Sequence, residues 1–237
     1  MDVKLLAHTQ LSEGYLSKLS SEEHVKYENG EFTDGQALAF TAIRTCYSAG
    51  KPSELLNNEG EKYFGEDKDI NRLVSHIVKS GHTSTLEGIT FNFAIEGVSR
   101  ALLAQLTRHR VGFSFSVQSQ RYVKQSSDSK HGGFDYVTPQ KVIDKDAQEV
   151  FARMMERAQN DYDLLISIGI PQEDARAVLP NAATTNLVLT VNLRSLLDFY
   201  SKRRKGKGAQ HEITELAEQI REEVVKVEPW TEEFFKN

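Results

Sequence analysis

The chain has 237 residues, of which 39% are hydrophobic and 27% are charged, the proportions of an ordinary globular protein. A formal net charge of −5 argues against general adhesion to nucleic acid, and no apolar run approaches the roughly 18–20 residues of a membrane helix. A single cysteine excludes an internal disulfide and a thiolate metal cluster, and the amino terminus lacks a secretory signal pattern. We therefore expect one cytoplasmic domain over residues 1–237, with no membrane segment and no bound nucleic acid or metal.

The first predicted helix covers residues 35–47. Small and apolar side chains recur there at helical spacing, at Leu38, Ala42 and Cys46, which puts them on one face. We therefore expect Cys46 to pack in the interior as a small hydrophobe rather than to act as a nucleophile. The polar segment 55–69 that follows is predicted to be a loop.

Helices and strands alternate in the next part of the chain. Helical spacing of apolar residues predicts a helix over 70–81. Alternation of apolar and polar residues predicts a strand over 90–97, which Gly97 breaks. Helical spacing resumes over 98–110, and alternation returns over 113–117 as a short strand or loop.

The second half of the chain is predicted to be mainly helical. Residues 125–146 form an exposed excursion, and the proline-framed segment 171–180 is a short helix. Longer helices are predicted over 147–169, 184–204 and 209–227. These elements indicate an α+β fold, mostly helical with a small antiparallel or mixed sheet.

Basic residues are concentrated in the segment Gln105–Tyr122, where Arg108, His109 and Arg110 are adjacent. Between residues 97 and 127 there are five Arg or Lys residues and no Asp or Glu. A helix C-terminus stabilises nearby cations by about 0.3–1 kcal/mol, which accounts for one or two of them. Guanidinium groups bind phosphate oxygens in pairs, so the segment predicts a ligand that carries phosphate.

Other kinds of site find less support. The sequence has no glycine-rich phosphate loop, and the six-residue spacing of His76 and His82 does not align them as a metal pair on a helix. A module that grips RNA or single-stranded DNA is the alternative of a different class, with Phe113, Phe115 and Tyr122 stacking on bases. The acidic remainder of the chain argues against it.

The predicted helix 184–204 carries a second candidate cluster. Asn192 and Arg203 are eleven residues apart, so at about 100° per residue they return to within about 20° of each other. Ser195 and Phe199 fall near the same stripe. Either this face serves a site, or it is a solvated helix end where basic residues favour the C-terminus.

Taken in order, these blocks resemble a known family, the flavin-dependent thymidylate synthases. The family signature is Arg-His-Arg, then seven or eight residues, then Ser; here RHRVGFSFSVQS has eight residues between Arg110 and Ser119. Upstream lies GHTSTLE, downstream lies SQRYV, and further on come EDARAVLP, NLRSLLDFYSKR and AQHEI. The resemblance covers about residues 36–220.

The resemblance implies an enzyme that methylates dUMP to dTMP. Methylenetetrahydrofolate would supply the carbon, and NADPH would reduce a bound FAD, which this family holds without a nucleotide-fold fingerprint. It also implies a homotetramer of α+β subunits whose active sites lie between chains. A flavoenzyme of the same fold that acts on another nucleotide is the alternative.

Site residues also follow from the resemblance, position by position. Those implied for FAD are Ser84, Arg108, His109, Arg110, Asn192, Arg194 and Asp198. Those implied for dUMP are Gln105, Arg108, Gln118, Ser119, Gln120, Arg121, Arg176 and Arg203. Among the latter, Gln105 and Arg108 would reach the nucleotide from another subunit.

Arg203 matches the arginine that activates the uracil ring in this family. A permanently charged guanidinium stabilises negative charge on the ring without giving up a proton. Counting from Asn192 selects Arg203, whereas counting back from Ala209 selects Arg204. We select Arg203 as the catalytic residue, because Arg204 would lie about 120° from Asn192 around the helix.

Overall fold

The computed structural model describes residues 1–65 and 68–236. Its helices are α1 (Glu13–Leu16), α2 (Ser21–Glu28), α3 (Asp34–Tyr47), α4 (Leu55–Glu59), α5 (Ile70–Lys79), α6 (Arg100–Leu106), α7 (Gln140–Asp144), α8 (Gln148–Ser167), α9 (Gln172–Ala175), α10 (Leu193–Arg203), α11 (His211–Val227) and α12 (Glu232–Phe235). Its strands are β1 (Asp2–His8), β2 (Thr90–Ser99), β3 (Phe113–Val117) and β4 (Thr184–Asn192). The predicted α+β class, mostly helical with a small sheet, is confirmed.

The four strands form one antiparallel sheet in the order β1-β2-β4-β3. On β2 the side chains of Phe91, Phe93 and Ile95 are fully buried, as alternation along a half-buried strand requires. At one end of the sheet, Phe113 of β3 pairs with Val191 of β4. The segment that precedes β3 therefore lies beside the point where β4 passes into α10.

The predicted helix over 184–204 is wrong in its first half. Residues Thr184–Asn192 form strand β4, and only Leu193–Arg203 form a helix. Along β4 the buried positions alternate with partly or fully exposed ones, and Leu187, Leu189 and Val191 face the interior. The leucines at helical spacing continued across the junction, which concealed the change from a period of two to a period of 3.6.

The predicted loop over 55–69 is wrong over residues 55–62, which are helical, whereas residues 63–65 and 68–69 lie in no helix or strand. Residues 66 and 67 of that segment lie outside the described residues. Helix α4 begins the segment, and Leu55, Leu56 and Phe64 are almost completely buried. These three apolar side chains anchor the segment in the core, although polar residues surround them in the sequence. Burial of each contributes about 1.5–3 kcal/mol.

The side chain of Cys46 is exposed, contrary to the expectation that it packs in the interior. Helix α3 forms as predicted, but its buried positions include Ala39, Phe40 and Ile43. The helix therefore turns a different face toward the core than the one that carries Cys46.

The remaining expected helices are present with shifted boundaries. Helices α5, α8 and α11 match the predicted ones closely, but α11 is followed by the short α12. Helix α6 is shorter than predicted at both ends, because Val98 and Ser99 belong to β2 and residues 107–110 follow the helix. Gly97 does not end β2; its positive φ of 68° coincides with a register shift toward β4. None of the described helices is long and apolar enough to cross a lipid bilayer.

Candidate active site

The three basic residues lie in the turn between α6 and β3. Leu102 and Leu106 of α6 are fully buried and fix the helix against the core, and the His109 amide donates to the Leu106 carbonyl at 3.0 Å. Further along the turn, the Asn192 amide donates to the Gly112 carbonyl at 3.2 Å. The turn, which we call the RHR turn (residues 107–112), is thereby held against the start of α10.

A cleft of about 390 Å³ opens between the RHR turn and α10. Its lining residues are Arg108, His109, Arg110, Val111, Phe113, Arg194, Ser195, Asp198 and Lys202. Asp198, the only carboxylate among these lining residues, is paired with Lys202 at 2.7 Å. The cleft is therefore positively charged overall and suits an anionic ligand.

His109 links the RHR turn to the end of α10. The Arg203 Nε donates to its Nε2 at 3.1 Å, and the Phe199 ring meets its ring edge-on with centroids 5.0 Å apart. Burial, followed by the positive charge of Arg203, lowers the pKa of His109 below its usual value. The imidazole is therefore neutral near pH 7, and it must be neutral for Nε2 to accept this hydrogen bond.

This arrangement gives a testable pH dependence. The unfolded chain binds a proton at His109 more readily than the folded protein does. The stability that the neutral ring contributes is therefore complete above about pH 6.5, and it declines as the pH falls from there through the lowered pKa of the folded protein. We expect FAD-free wild-type protein to lose more free energy of unfolding between pH 7.5 and 5.5 than His109→Gln does. Urea unfolding at several pH values measures it.

The matched control for this measurement is His131→Gln, because the side chain of His131 is exposed and lies outside the cleft. That variant should keep the pH dependence of the wild type. Equal slopes for wild type and His109→Gln would contradict the account of His109.

A second group of predicted residues gathers around the segment that follows β3. The Gln118 carbonyl accepts from the Arg100 guanidinium at 3.0 Å, and the Arg121 guanidinium pairs with Glu173 at 2.7 Å. Arg176, which begins the turn after α9, donates to the Glu173 carbonyl at 2.9 Å. The structure thus brings residues 118–121 together with Arg176, although more than 50 residues separate them in the sequence.

Other predicted site residues lie at the margins of these two groups. The Asn192 side chain caps α10 by accepting from the Ser195 amide at 2.9 Å, and Arg194 lines the cleft and pairs with Glu87. Ser84 is exposed in the turn that leads to Glu87.

Gln105 and Gln120 have different surroundings. The Gln105 side chain donates to the Gln210 side chain at 3.1 Å and to no residue of segment 118–121 within the described part of the chain. Gln120 is half-buried beside Ser119 and Arg121. Within one chain the predicted residues therefore form two groups rather than one.

Comparison with known proteins identifies the family. A family model described as thymidylate synthase complementing protein matches residues 30–230. This chain belongs to that family. A flavin-dependent thymidylate synthase from Clostridium tetani is 37% identical over 224 residues, which cover 86% of this chain and 84% of the relative. Another from Geobacter sulfurreducens is 39% identical over 197 residues, which cover 83% of this chain and 80% of the relative. The predicted resemblance is confirmed.

A solved structure has the same fold as this chain. It is the crystal structure of a UMP/dUMP methylase from Streptomyces cacaoi bound with 5-Br dUMP, with a TM-score of 0.70 and 22% sequence identity. The match covers 99% of this chain and 94% of the methylase.

Three side chains of this family member support the site but were missed in the sequence. Glu212 of the AQHEI block is buried and accepts from the Ser99 amide at 2.7 Å and the Ser99 hydroxyl at 2.6 Å, and Ser99 caps α6. Gln210 of the same block contacts Gln105. Arg100 contacts Gln118. The motif AQHEI could have indicated Glu212 and Gln210, whereas the only sign of Arg100 in the sequence was its position in the basic segment.

Proposed function

We propose that this chain is a flavin-dependent thymidylate synthase, which methylates dUMP to dTMP with FAD as its cofactor, methylenetetrahydrofolate as carbon donor and NADPH as reductant. Membership of the family and the names of relatives that align over more than four fifths of this chain support the reaction. The single observation that carries the proposal is the cationic cleft in which the RHR turn meets α10, with Arg203 held by His109.

The residues of the cleft fit FAD. Arg108 and Arg110 have no ion-pair partner among residues 1–65 and 68–236, so both guanidinium groups are free to bind the pyrophosphate. A Cβ atom at Gly112 would lie 2.5 Å from Asn192 Nδ2, so only glycine allows this close approach of the turn to α10. When bound, FAD would supply reducing equivalents taken from NADPH, which reduce the one-carbon group on the nucleotide from the methylene to the methyl level.

The residues of the second group suit the nucleotide. Ser119 and Gln120 offer a hydroxyl and an amide for hydrogen bonds, and Arg121 and Arg176 offer guanidinium groups for a phosphate monoester. Segment 118–121 continues directly from β3, whose first residue lines the cleft. The five residues of β3 separate the two groups within one chain, so the nucleotide held by the second group would meet FAD held by another subunit.

Arg203 is the residue that we assign to activation of the uracil. Its Nε is occupied by His109, and its terminal nitrogens make no hydrogen bond within the described residues. These N–H groups are free to donate to a uracil carbonyl, and their fixed charge would stabilise the negative charge on the ring that makes its C5 nucleophilic. The neutral His109 orients Arg203 and adds no competing positive charge.

A homotetramer with active sites between subunits is part of the proposal. Helix α8 is 20 residues long, yet it buries only Met155 and Tyr162. Met154 and Leu164 are 59% and 60% exposed on it, and Ile168, which directly follows its last residue, is 67% exposed. Exposed apolar surface on one long helix is typical of a subunit interface, and the division of the predicted residues into two groups supports sites completed by another subunit.

The purified protein is expected to be yellow, or to become so when FAD is added. NADPH oxidation should produce dTMP only when dUMP and methylenetetrahydrofolate are both present. Absorbance spectra before and after NADPH, together with chromatographic detection of dTMP, measure both properties. A colourless protein that stays inactive after addition of FAD would refute the proposal, and salt-sensitive binding of oligonucleotides without flavin would favour a nucleic-acid module instead.

A further inference from the structure

Arg100, the first residue of α6, has an unusual environment. Its guanidinium is half-buried and donates to the Gln118 carbonyl at 3.0 Å, while its Nε is buried without a hydrogen-bond partner. Within residues 1–65 and 68–236, no carboxylate lies within ion-pair distance of this guanidinium. A partly buried cation that lacks a counter-ion is costly for a protein to maintain, and a bound anion would compensate it.

Arg176 provides a second cation near the same place. Gln172 of α9, the helix that Arg176 follows, donates to the Arg121 carbonyl, and the Arg100 amide donates to the Ala183 carbonyl at 3.0 Å. Burial, followed by the positive charge of Arg176, lowers the pKa of Arg100, although arginine keeps its proton in proteins. Arg176 donates its Nε to a backbone carbonyl and, like Arg100, has no ion-pair partner in the described part of the chain. Two like charges close together repel each other, and an anion bound between them would remove the repulsion.

The charge balance favours a phosphate monoester as that anion. Arg121, which is also assigned to the phosphate, is already paired with Glu173, so its charge is partly neutralised. Arg100 and Arg176 are therefore the two arginines beside segment 118–121 that have no ion-pair partner among the residues the structure describes. A phosphate monoester carries about −1.5 to −2 charges near pH 7, which matches two guanidinium groups, and planar guanidinium forks bind its oxygens in pairs.

We propose that Arg100 binds the phosphate of the nucleotide together with Arg176, and that its hydrogen bond to the Gln118 carbonyl holds segment 118–121 against the same phosphate. This assignment adds a binding residue to those that the family resemblance implied, and it rests on the proposed function for the identity of the nucleotide. It makes Arg100 a determinant of the preference for a nucleotide over a nucleoside.

The test compares dUMP with deoxyuridine, which lacks the phosphate. Isothermal titration calorimetry on the FAD-loaded protein gives both dissociation constants. For Arg100→Gln we expect the dissociation constant of dUMP to rise about 10- to 100-fold, as the loss of one charged hydrogen bond or two predicts, with that of deoxyuridine unchanged. Arg100→Lys, which keeps the charge but loses the fork, should fall between Arg100→Gln and the wild type.

Arg72→Gln is the matched control, because it removes one exposed arginine from α5, outside both groups. It should leave both dissociation constants unchanged. Unchanged deoxyuridine binding also shows that Arg100→Gln has folded; if it has not, Arg100→Lys provides the measurement. An equal loss of affinity for both ligands would overturn the proposal, because Arg100 would then only support the loop, and so would unchanged affinity for dUMP.

Titration with inorganic phosphate separates this proposal from the proposed function. Wild-type protein that binds phosphate through Arg100 but does not bind dUMP would keep the anion site and refute the thymidylate synthase assignment. Equal affinity of the wild type and Arg100→Gln for dUMP would refute the role of Arg100 and leave the thymidylate synthase assignment standing. Protein that binds neither ligand would refute both.

Discussion

Arg203→Ala is expected to abolish formation of dTMP almost completely while leaving FAD bound. The change removes a fixed charge from the place where charge develops on the uracil, and loss of one such group typically lowers kcat by about 10²–10³. FAD should remain bound, because Arg108, Arg110 and Arg194 still line the cleft. The rate of dTMP formation and the flavin absorbance of the purified variant measure the two effects separately.

Arg204→Ala is the matched control, since the two arginines are adjacent. Arg204 follows the last residue of α10, and its Nη1 donates to the Lys236 carbonyl at 3.2 Å, in contact with the C-terminal segment. We expect Arg204→Ala to retain most of the activity and to lose some stability. An inactive Arg204→Ala beside an active Arg203→Ala would move the catalytic assignment to Arg204.

The basic segment could be found in the sequence because its signal is local. Three adjacent basic residues without a nearby carboxylate are visible in the order of residues alone, and the helices α3, α5, α8 and α11 follow from apolar spacing. The exposed Cys46 shows the limit of this reasoning. Spacing defines which residues share a face, but the neighbouring elements decide which face is buried.

The prediction of a helix over residues that form β4 was the largest error, but the same helix still connects Asn192 and Arg203. Strand β4 was interpreted as helix because Leu189 and Leu193 fit both periods across the junction. Asn192 nevertheless caps α10, and α10 runs without a break to Arg203. The two side chains therefore belong to opposite ends of one helix. The structure also shows a role of the Asn192 side chain that helical spacing did not predict, because it caps α10 beside the RHR turn.

Contacts between distant segments could not be predicted from the sequence. His109 and Arg203 are 94 residues apart, and Arg100 approaches Arg176 only because the chain returns beside the start of α6. There the Arg100 amide donates to the Ala183 carbonyl at 3.0 Å. The spacing of apolar residues does not predict such a long-range contact. It depends on the order of strands in the sheet, which places β4 between β2 and β3.

Gly112→Ala is expected to disrupt the cleft without removing any polar group. Gly112 has a positive φ of 69°, which costs a residue with a side chain about 1–3 kcal/mol. A Cβ atom there would lie 2.2 Å from Ser195 Oγ and 2.5 Å from Asn192 Nδ2, so α10 or the RHR turn must move, at a further cost of about 1–3 kcal/mol. We expect a lower free energy of unfolding and weaker FAD binding, measured by urea unfolding and flavin titration.

Gly30→Ala isolates the effect of the clash from that of the backbone conformation. Gly30 has a φ of 72°, close to that of Gly112, but a Cβ atom there would meet no atom within 4 Å. The control should therefore lose only the conformational part of the stability and should bind FAD as the wild type does. If both variants lost equal stability and both retained FAD, the close approach of the RHR turn to α10 would have no role in forming the cleft, and the cationic residues would have to be positioned by some other contact.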